Sequence, residues 1–133
     1  MPITVEHLES GPLLYYEFSG RITLHDLETL RERETPYFDA IRPGSRVAVV
    51  LDLTQLLTIP AELFAPLQQS RVVSDERVSV VGVVGANPYL RALAISLGLI
   101  AAKHDFVFCQ TRDEALHRIA THPALLFSMN TDR

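Results

Sequence analysis

The composition excludes several classes of protein before any motif is considered. The chain has 133 residues, 47 % of them apolar and 21 % charged, which predicts one soluble globular domain over 1–133. A net charge of −4 and a pI near 5.7, without a basic run, exclude a nucleic-acid-binding surface. A single cysteine permits no internal disulfide, and the sequence contains neither a signal peptide nor a membrane span. We expect a cytoplasmic protein.

Two strands and a helix are predicted before residue 45. Residues 1–12 form a lead-in arm whose strand alternates like an edge partner of the next strand, Leu13–Phe18. Thr23 and Asp26 form a capping box at the start of the first helix, and Pro36 bends or ends that helix. The helix has an apolar inward stripe and a charged outward face: Leu24, Leu27 and Leu30 against Glu28, Arg31, Glu32, Arg33 and Glu34.

The stretch Ser45–Pro60, SRVAVVLDLTQLLTIP, predicts the centre of the fold. Arg46–Leu53 is a nearly continuous apolar run, typical of a central parallel strand that is covered on both faces. Pro60 follows at a position that suits the first turn of a helix. Ligands and switches lie beyond the carboxyl ends of such strands in open α/β sheets. This strand-to-helix joint is therefore the first candidate site.

The rest of the chain continues to alternate between helices and strands. A tail, 124–133, contains apolar residues of the kind that form an oligomer contact. The alternation predicts an α/β fold with a mostly parallel central sheet of about four to five strands, flanked by about four helices. In chain order the further elements are a helix Ala61–Ser74, a strand Val78–Val84, a helix from Asn87, a strand Phe106–Cys109 and a helix opened by the capping box Thr111–Glu114.

Three segments resemble the sulfate-transporter and anti-sigma-factor-antagonist (STAS) superfamily, in its SpoIIAA-like branch. SGRITLHDLETL is similar to the branch's first strand end and helix start, VAVVLDLTQL to its central strand, and FVFCQTRDEALHRI to its closing strand and helix. They occur in the branch's order over nearly the whole chain. The resemblance implies a single-domain STAS-like sandwich and a non-enzymatic regulatory module with a protein partner such as an anti-sigma-like regulator.

The chain departs from the branch at the switch loop. There the antagonists carry an Asp-Ser pair, and phosphorylation of the Ser by a kinase breaks partner binding. Placing DLTQLLTIPAEL on that loop puts Pro60 and Ala61 at the two positions, and neither accepts a phosphate. Thr58 is the nearest hydroxyl and the alternative phosphoacceptor, although a Thr before a helix is more often a cap. The departure implies a module without a working phosphoswitch.

Catalytic chemistry finds little support in the residue pattern. Asp52 ends a strand like a receiver-domain phosphoacceptor, but the acidic pair and the Lys of that site are missing, so we interpret it as a turn or cap acceptor. Gly82 and Gly85 lack dinucleotide-loop spacing, and close packing of strand and helix explains them better. Cys109 is interpreted as a core thiol, and the five His lack metal-ligand spacing. We predict no enzyme, no catalytic residues, no metal ligands and no cofactor.

Three functions therefore stay open. The first is protein–protein interaction through the joint Thr54–Phe64 and the helix start at Asn87, with a homodimer as one form. The second is binding of a small apolar molecule or lipid in a pocket between sheet and helices. The third is an enzyme with a thiol or anion-binding site at Cys109. The candidate partner or ligand contacts are Asp52, Thr54, Thr58, Glu62, Phe64, Asn87 and Tyr89.

Overall fold

The described part of the chain forms one five-stranded sheet with a long helix on each face. A computed structural model describes residues 3–8, 13–58, 60–63, 65–66, 69–85, 87–89, 92 and 105–122. The strands are β1 (Ile3–Leu8), β2 (Leu13–Arg21), β3 (Val47–Thr58), β4 (Val78–Val84) and β5 (Asp105–Cys109). The helices are α1 (Leu24–Ala40), the four-residue α2 (Arg71–Ser74) and α3 (Arg112–Ala120), with a 3-10 turn at Ala61–Leu63.

The strands lie in the sheet in the same order as in the sequence, β1-β2-β3-β4-β5. β1 pairs with β2 antiparallel, and the other three pairings are parallel. The predicted α/β fold with a mostly parallel sheet is thus confirmed, and so is the lead-in strand as an edge partner of β2.

The central strand β3 is covered on both faces, as its unbroken apolar run predicts. Val47 and Val49 belong to a core cluster that includes Leu27, Leu30 and Phe38 of α1. Ala48 and Val50 point the other way, into a second cluster that includes Ala115 and Ile119 of α3. Because successive strand residues alternate between faces, one strand serves both cores.

Helix α1 begins at the predicted cap and continues past Pro36. The Thr23 hydroxyl accepts from the Asp26 amide at 3.2 Å, and the Asp26 carboxylate accepts from the Thr23 amide at 2.8 Å, which is the expected capping box. Pro36 does not end the helix, which continues to Ala40. The last turn persists because Phe38, which is fully buried, packs it onto the sheet and offsets the hydrogen bond that a proline cannot make.

Two residues of α1 do not lie on the side of the helix that the pattern of apolar and charged residues predicts. Leu24, expected to point inward, is 49 % exposed because it belongs to the first turn, at the margin of the sheet. Glu34, expected outside, has no exposed surface, because two hydrogen-bond donors from other elements meet its carboxyl group in the core. These partners come from distant parts of the chain.

The predicted continuous helix Ala61–Ser74 is wrong. β3 runs on to Thr58, Ala61–Leu63 is a 3-10 turn, and a turn at Gln69 and Ser70 precedes α2. Pro66 supplies a physical reason, because it removes one helical hydrogen bond and its ring crowds the carbonyl four residues earlier.

The predicted count of about four helices is not matched, since two helices of nine or more residues lie within the described ranges. Of the helix predicted from Asn87, residues 88, 89 and 92 are helical, and most of the remainder falls outside the described residues. Phe64 and the tail 124–133 fall outside them too. No helix in the described part of the chain combines the length and apolar character needed to cross a bilayer.

Helix α3 begins with the predicted cap. The Thr111 hydroxyl accepts from the Glu114 amide at 3.1 Å. The apolar residues of this helix, Ala115, Leu116, Ile119 and Ala120, predict its buried face. Ala115 and Ile119 are buried and Leu116 is partly buried, whereas Ala120 is exposed because it faces away from the sheet in the last turn.

Candidate functional site

Asp52 lies midway along β3, opposite the end of β4 at Val84, and three donors hold its carboxylate. The Tyr15 hydroxyl from β2 donates to Oδ2, and the Thr54 amide and hydroxyl donate to Oδ1 at 3.0 and 2.6 Å. Desolvation alone would raise the pKa of Asp52, but the hydrogen bonds from Thr54 and Tyr15 together outweigh it and lower that pKa. Asp52 is therefore ionised at neutral pH. Its bonds from Thr54, two residues on, are those of the predicted turn acceptor, but the prediction that the strand ends there is wrong, because β3 continues to Thr58.

Arg112, the first residue of α3, connects this cluster to the edge strand. Its guanidinium lies over the Tyr15 ring, 4.4 Å from the centroid, and 3.7 Å from the Glu6 carboxylate. Both charged side chains are about half exposed or more, so the ion pair adds little stability. Burial and the neighbouring Asp52 raise the pKa of Tyr15, which keeps the hydroxyl protonated as a donor. Sequence reasoning missed these three residues because only strand register and helix docking bring them to Asp52.

Thr54 packs against Gly85 at the end of β4. Gly85 has φ +74°, and a Cβ built there would lie 3.1 Å from Thr54 Cα and closer still to the Thr54 methyl group. Its amide donates to the Cys109 carbonyl at 3.0 Å, which ties the end of β4 to β5. Gly82 is also confirmed as a packing glycine, because a Cβ there would lie 2.8 Å from Cδ1 of Ile119.

Thr58 is a strand residue and not a helix cap. It is the last residue of β3, is exposed, and is paired in register with Arg21 of β2. The cap interpretation is wrong because β3 is longer than the apolar run suggests. Four residues along the strand place Thr58 about 13 Å from Thr54, so the two hydroxyls belong to separate parts of the edge.

The exposed large apolar side chains of the described residues lie near or beyond the carboxyl ends of three parallel strands. Leu24, Leu57 and Tyr89 are 49 %, 78 % and 55 % exposed. Leu24 follows the end of β2, Leu57 is the second-last residue of β3, and Tyr89 follows the end of β4. These strands are parallel, so their carboxyl ends point in the same direction; β2 ends opposite Thr58 and β4 ends opposite Asp52. We call the following set the carboxyl-edge surface: Leu24, Thr54, Leu57, Thr58, Glu62, Asn87 and Tyr89.

The structure brings together part of the predicted contact set. Asp52 and Thr54 touch directly, and Thr54, Thr58, Glu62, Asn87 and Tyr89 are all exposed. Leu24 and Leu57 were missed. Leu24 fits the apolar stripe of α1, and Leu57 stands beside Leu56, which is buried, so hydrophobicity alone does not separate the exposed leucines from the core.

Cys109 is confirmed as a core thiol. Its side chain is 6 % exposed at the end of β5, and the Arg118 guanidinium lies 4.0 Å from the sulfur. Desolvation, assisted by the charge of Glu114, raises the pKa of the thiol. A raised pKa lowers the thiolate fraction that a nucleophile requires.

No protein-family model matches the sequence, and no curated protein matches it significantly. Solved structures do match the fold. An uncharacterised protein of the DUF3478 family from Shewanella loihica PV-4, with a SpoIIAA-like fold, superposes with a TM-score of 0.67 at 15 % identity, covering 86 % of this chain and 89 % of that chain. This chain has a SpoIIAA-like fold.

Two further structures with this SpoIIAA-like fold are anti-sigma factor antagonists. SpoIIAA in its unphosphorylated form gives a TM-score of 0.54 at 14 % identity, covering 88 % of this chain and 95 % of that chain. An antagonist from Mycobacterium paratuberculosis gives 0.53 at 21 % identity, with coverages of 88 % and 93 %. The SpoIIAA-like fold that the sequence resemblance implied is thus confirmed.

Proposed function

We propose that this chain is a non-enzymatic regulatory module that binds a protein partner through the carboxyl-edge surface. The observation that carries the proposal is that Leu24, Leu57 and Tyr89 are exposed and that each lies near or beyond the carboxyl end of one of three parallel strands. The likeness of the fold to anti-sigma factor antagonists supports a regulatory protein as the partner. The buried free Cys109 suits a reducing compartment, and we place the module in the cytoplasm.

The composition of the carboxyl-edge surface supports a protein partner over other occupants. A single exposed leucine is ordinary in a globular protein. Two leucines and a tyrosine at one edge, beside Thr54, Thr58, Glu62 and Asn87, have the composition of a protein interface, in which a few apolar or aromatic anchors are surrounded by polar groups.

Partner binding at this surface is, in our proposal, not controlled by phosphorylation at the joint. Pro60 and Ala61 stand at the positions of the antagonists' Asp-Ser pair, and Ala61 opens a 3-10 turn. Thr58, exposed at the end of β3, is the alternative acceptor. Phosphate found on Thr58 after incubation with an anti-sigma-type kinase would overturn this part of the proposal.

Leu57→Asp is the variant that tests the surface. A charge at the most exposed anchor should weaken the complex at least about tenfold, because a desolvated carboxylate opposes burial. It should change the free energy of unfolding by less than about 0.5 kcal/mol, because the position is exposed. The partner is first captured with the wild-type protein and identified, and its affinity for each variant is then measured by calorimetry.

Ala120→Asp is the matched control for Leu57→Asp. Ala120 is exposed at the end of α3, away from the carboxyl edge, so the same new charge should leave the affinity unchanged. Equal affinities for wild type and Leu57→Asp, in a chain that melts normally, would remove the proposal.

A small apolar ligand is the alternative, and one cleft favours it. The cleft has a volume of about 160 Å³, lies between α1 and the segment before α2, and is lined in part by Leu24, Leu27, Leu30 and Pro66. Typical ligand pockets hold about 300–1,000 Å³, so the cleft suits only a small molecule. Native mass spectrometry of protein purified without added ligand separates the possibilities: an adduct of fixed mass supports the ligand, and a dimer supports self-association.

A further inference from the structure

Among the described residues, Glu34 is the charged residue that is buried, and its hydrogen bonds connect α1 to β2 and to α2. Its side chain, on α1, has no exposed surface. The Tyr16 hydroxyl of β2 donates to Oε2 at 2.6 Å, and the backbone amide of Arg71, the first residue of α2, donates to Oε1 at 3.2 Å. Both carboxyl oxygens are therefore occupied by groups that lie 18 and 37 residues away in the sequence.

The segment that Glu34 holds begins at the carboxyl-edge surface. After Thr58 the chain passes through the 3-10 turn at Ala61–Leu63 and reaches α2 at Arg71. The bond from Arg71 to Glu34 fixes the far end of this segment to α1, beside β2. A change at Glu34 therefore acts on the segment that carries Glu62, one of the residues of the proposed partner surface.

The charges around Glu34 do not fully compensate its burial. Desolvation raises the pKa of Glu34, while hydrogen bonds from Tyr16 and Arg71 and the positive charges of Arg71 and Arg31 lower it, and the net direction is upward. The Arg71 guanidinium is shared, since it lies 3.3 Å from Asp75 and 3.9 Å from Asp39 and over the Phe38 ring. The charged and titratable groups that face the carboxyl, directly or through Arg71 and Tyr16, are Arg31 and Asp39 of α1, Tyr16 of β2, Arg71 of α2 and Asp75 after it.

We propose that Glu34 is a proton-dependent latch, which holds the start of α2 against α1 and β2 tightly when its carboxyl is protonated and loosely when it is ionised. A protonated carboxyl keeps a bond to each partner, because its O–H donates to the Tyr16 oxygen while the other oxygen accepts from the Arg71 amide. The Tyr16 hydroxyl hydrogen then loses its acceptor, which costs less than a charge buried away from water. An ionised carboxyl keeps the contacts too, but at the cost of a charge buried away from water. Local opening of the segment relieves that cost by admitting solvent.

The direction of the pH effect follows from linkage. The folded state binds the Glu34 proton more tightly than the unfolded chain, whose carboxyl has the ordinary value of 4.5. The contribution to stability is complete below the ordinary pKa and is lost as pH rises through the raised folded-state pKa. Each unit between the two values changes the opening equilibrium about tenfold.

The latch stands on these contacts alone, whereas its control of partner binding rests on the function proposed above. The test therefore uses the full chain without a partner. Amide hydrogen exchange at Arg71 is followed by NMR between about pH 4 and about pH 8, after correction for the intrinsic pH dependence of exchange, and the Glu34 carboxyl is titrated by carbon NMR in the same samples.

In the wild-type protein we expect the opening equilibrium at Arg71 to rise with pH across the titration of Glu34. In Glu34→Gln, which has no titrating group at this position, the profile should be flat. In Tyr16→Phe, the carboxylate loses one donor, so the Glu34 titration should move to still higher pH. Glu32→Gln, an exposed glutamate of the same helix, is the matched control and should follow the wild type.

A wild-type profile that is independent of pH, or a Glu34→Gln profile that rises like the wild type, would overturn the latch. A Glu34 carboxyl that titrates at the ordinary value would overturn it too, and this holds even if one variant fails to fold. Failure of the Leu57→Asp experiment would remove the partner surface and leave these results unchanged, so the two proposals fail separately.

Discussion

Two neighbouring tyrosines of β2 each donate to a carboxylate, on opposite faces of the sheet and with opposite electrostatic results. Tyr16 reaches Glu34 under α1, where the acid has no exposed surface and its pKa is raised. Tyr15 reaches Asp52 at the carboxyl edge, where the acid is partly exposed and its pKa is lowered. The donor is the same kind of residue in both pairs, so the phenol does not set the direction.

Burial and the number of donors set it instead. Asp52 accepts from three groups and keeps contact with water, so its hydrogen bonds outweigh a modest desolvation. Glu34 accepts from two groups and has no water contact, so desolvation prevails. One face of the sheet therefore carries an acid, Glu34, whose contribution to folding stability is greatest at low pH. The other face carries an acid, Asp52, whose contribution is greatest at neutral pH.

The largest effect is expected from breaking the buried pair with Glu34→Leu. It leaves the Tyr16 hydroxyl and the Arg71 amide without an acceptor in the core and should lower the free energy of unfolding by about 2–4 kcal/mol. Urea denaturation at neutral pH measures the loss. Glu34→Leu combined with Tyr16→Phe should be more stable than Glu34→Leu alone, since the stranded hydroxyl is gone, and a single-variant loss below about 1 kcal/mol would contradict the pairing.

A smaller effect is expected from Gly85→Ala, which disturbs the packing between the end of β4 and Thr54, the residue that donates to Asp52. The new methyl group collides with Thr54, and the alanine backbone must adopt a left-handed conformation. We therefore expect the free energy of unfolding to fall by about 2–3 kcal/mol. Gly44→Ala is the matched control, because Gly44 has φ +84° but open space around it, and only the backbone cost of about 1 kcal/mol applies. Equal thermal shifts for the two variants would show that the contact with Thr54 does not matter.

The smallest effect is expected from Asp52→Asn, which tests the difference in pH dependence between Asp52 and Glu34. At neutral pH it should lower stability by about 1 kcal/mol, because a partly exposed carboxylate loses its charge-assisted bonds. The folded-state pKa is depressed, so the contribution is complete above the ordinary value of 3.8 and is lost as pH falls through the folded-state value. Denaturation at a series of pH values should show the gap to wild type closing in acid, the reverse of the Glu34 pattern.

The features that the sequence predicted well are those that local chemistry determines. The apolar run from Val47 identified the central strand, and the spacing of Thr23 and Asp26 identified a helix start. Both signals are contained within a few residues. The alternation of strands and helices then predicted the α/β class, because it admits few topologies, and the resemblance of three segments implied the SpoIIAA-like fold.

The features that sequence reasoning missed depend on partners far away in the chain. Glu34 looks like a solvent-facing charge in a charged stretch, and only Tyr16 and Arg71 explain its burial. Tyr15 gives no sign in the sequence of the partner of its hydroxyl, which lies 37 residues away. The exposed Leu57 and the buried Leu56 are adjacent leucines that differ in strand orientation. A helical or strand period cannot supply such information where the element boundary itself is misplaced, as it was for β3.

The strand order has a consequence for how this chain is made. In the sheet order β1-β2-β3-β4-β5, each strand after β1 pairs with the strand that precedes it in the sequence. During synthesis, which proceeds from the amino terminus, a newly emerged strand thus finds its partner already outside the ribosome and need not wait for a later segment. The hairpin of β1 and β2 offers a template for β3, and the sheet can lengthen toward β5 with no strand inserted between two that have already paired.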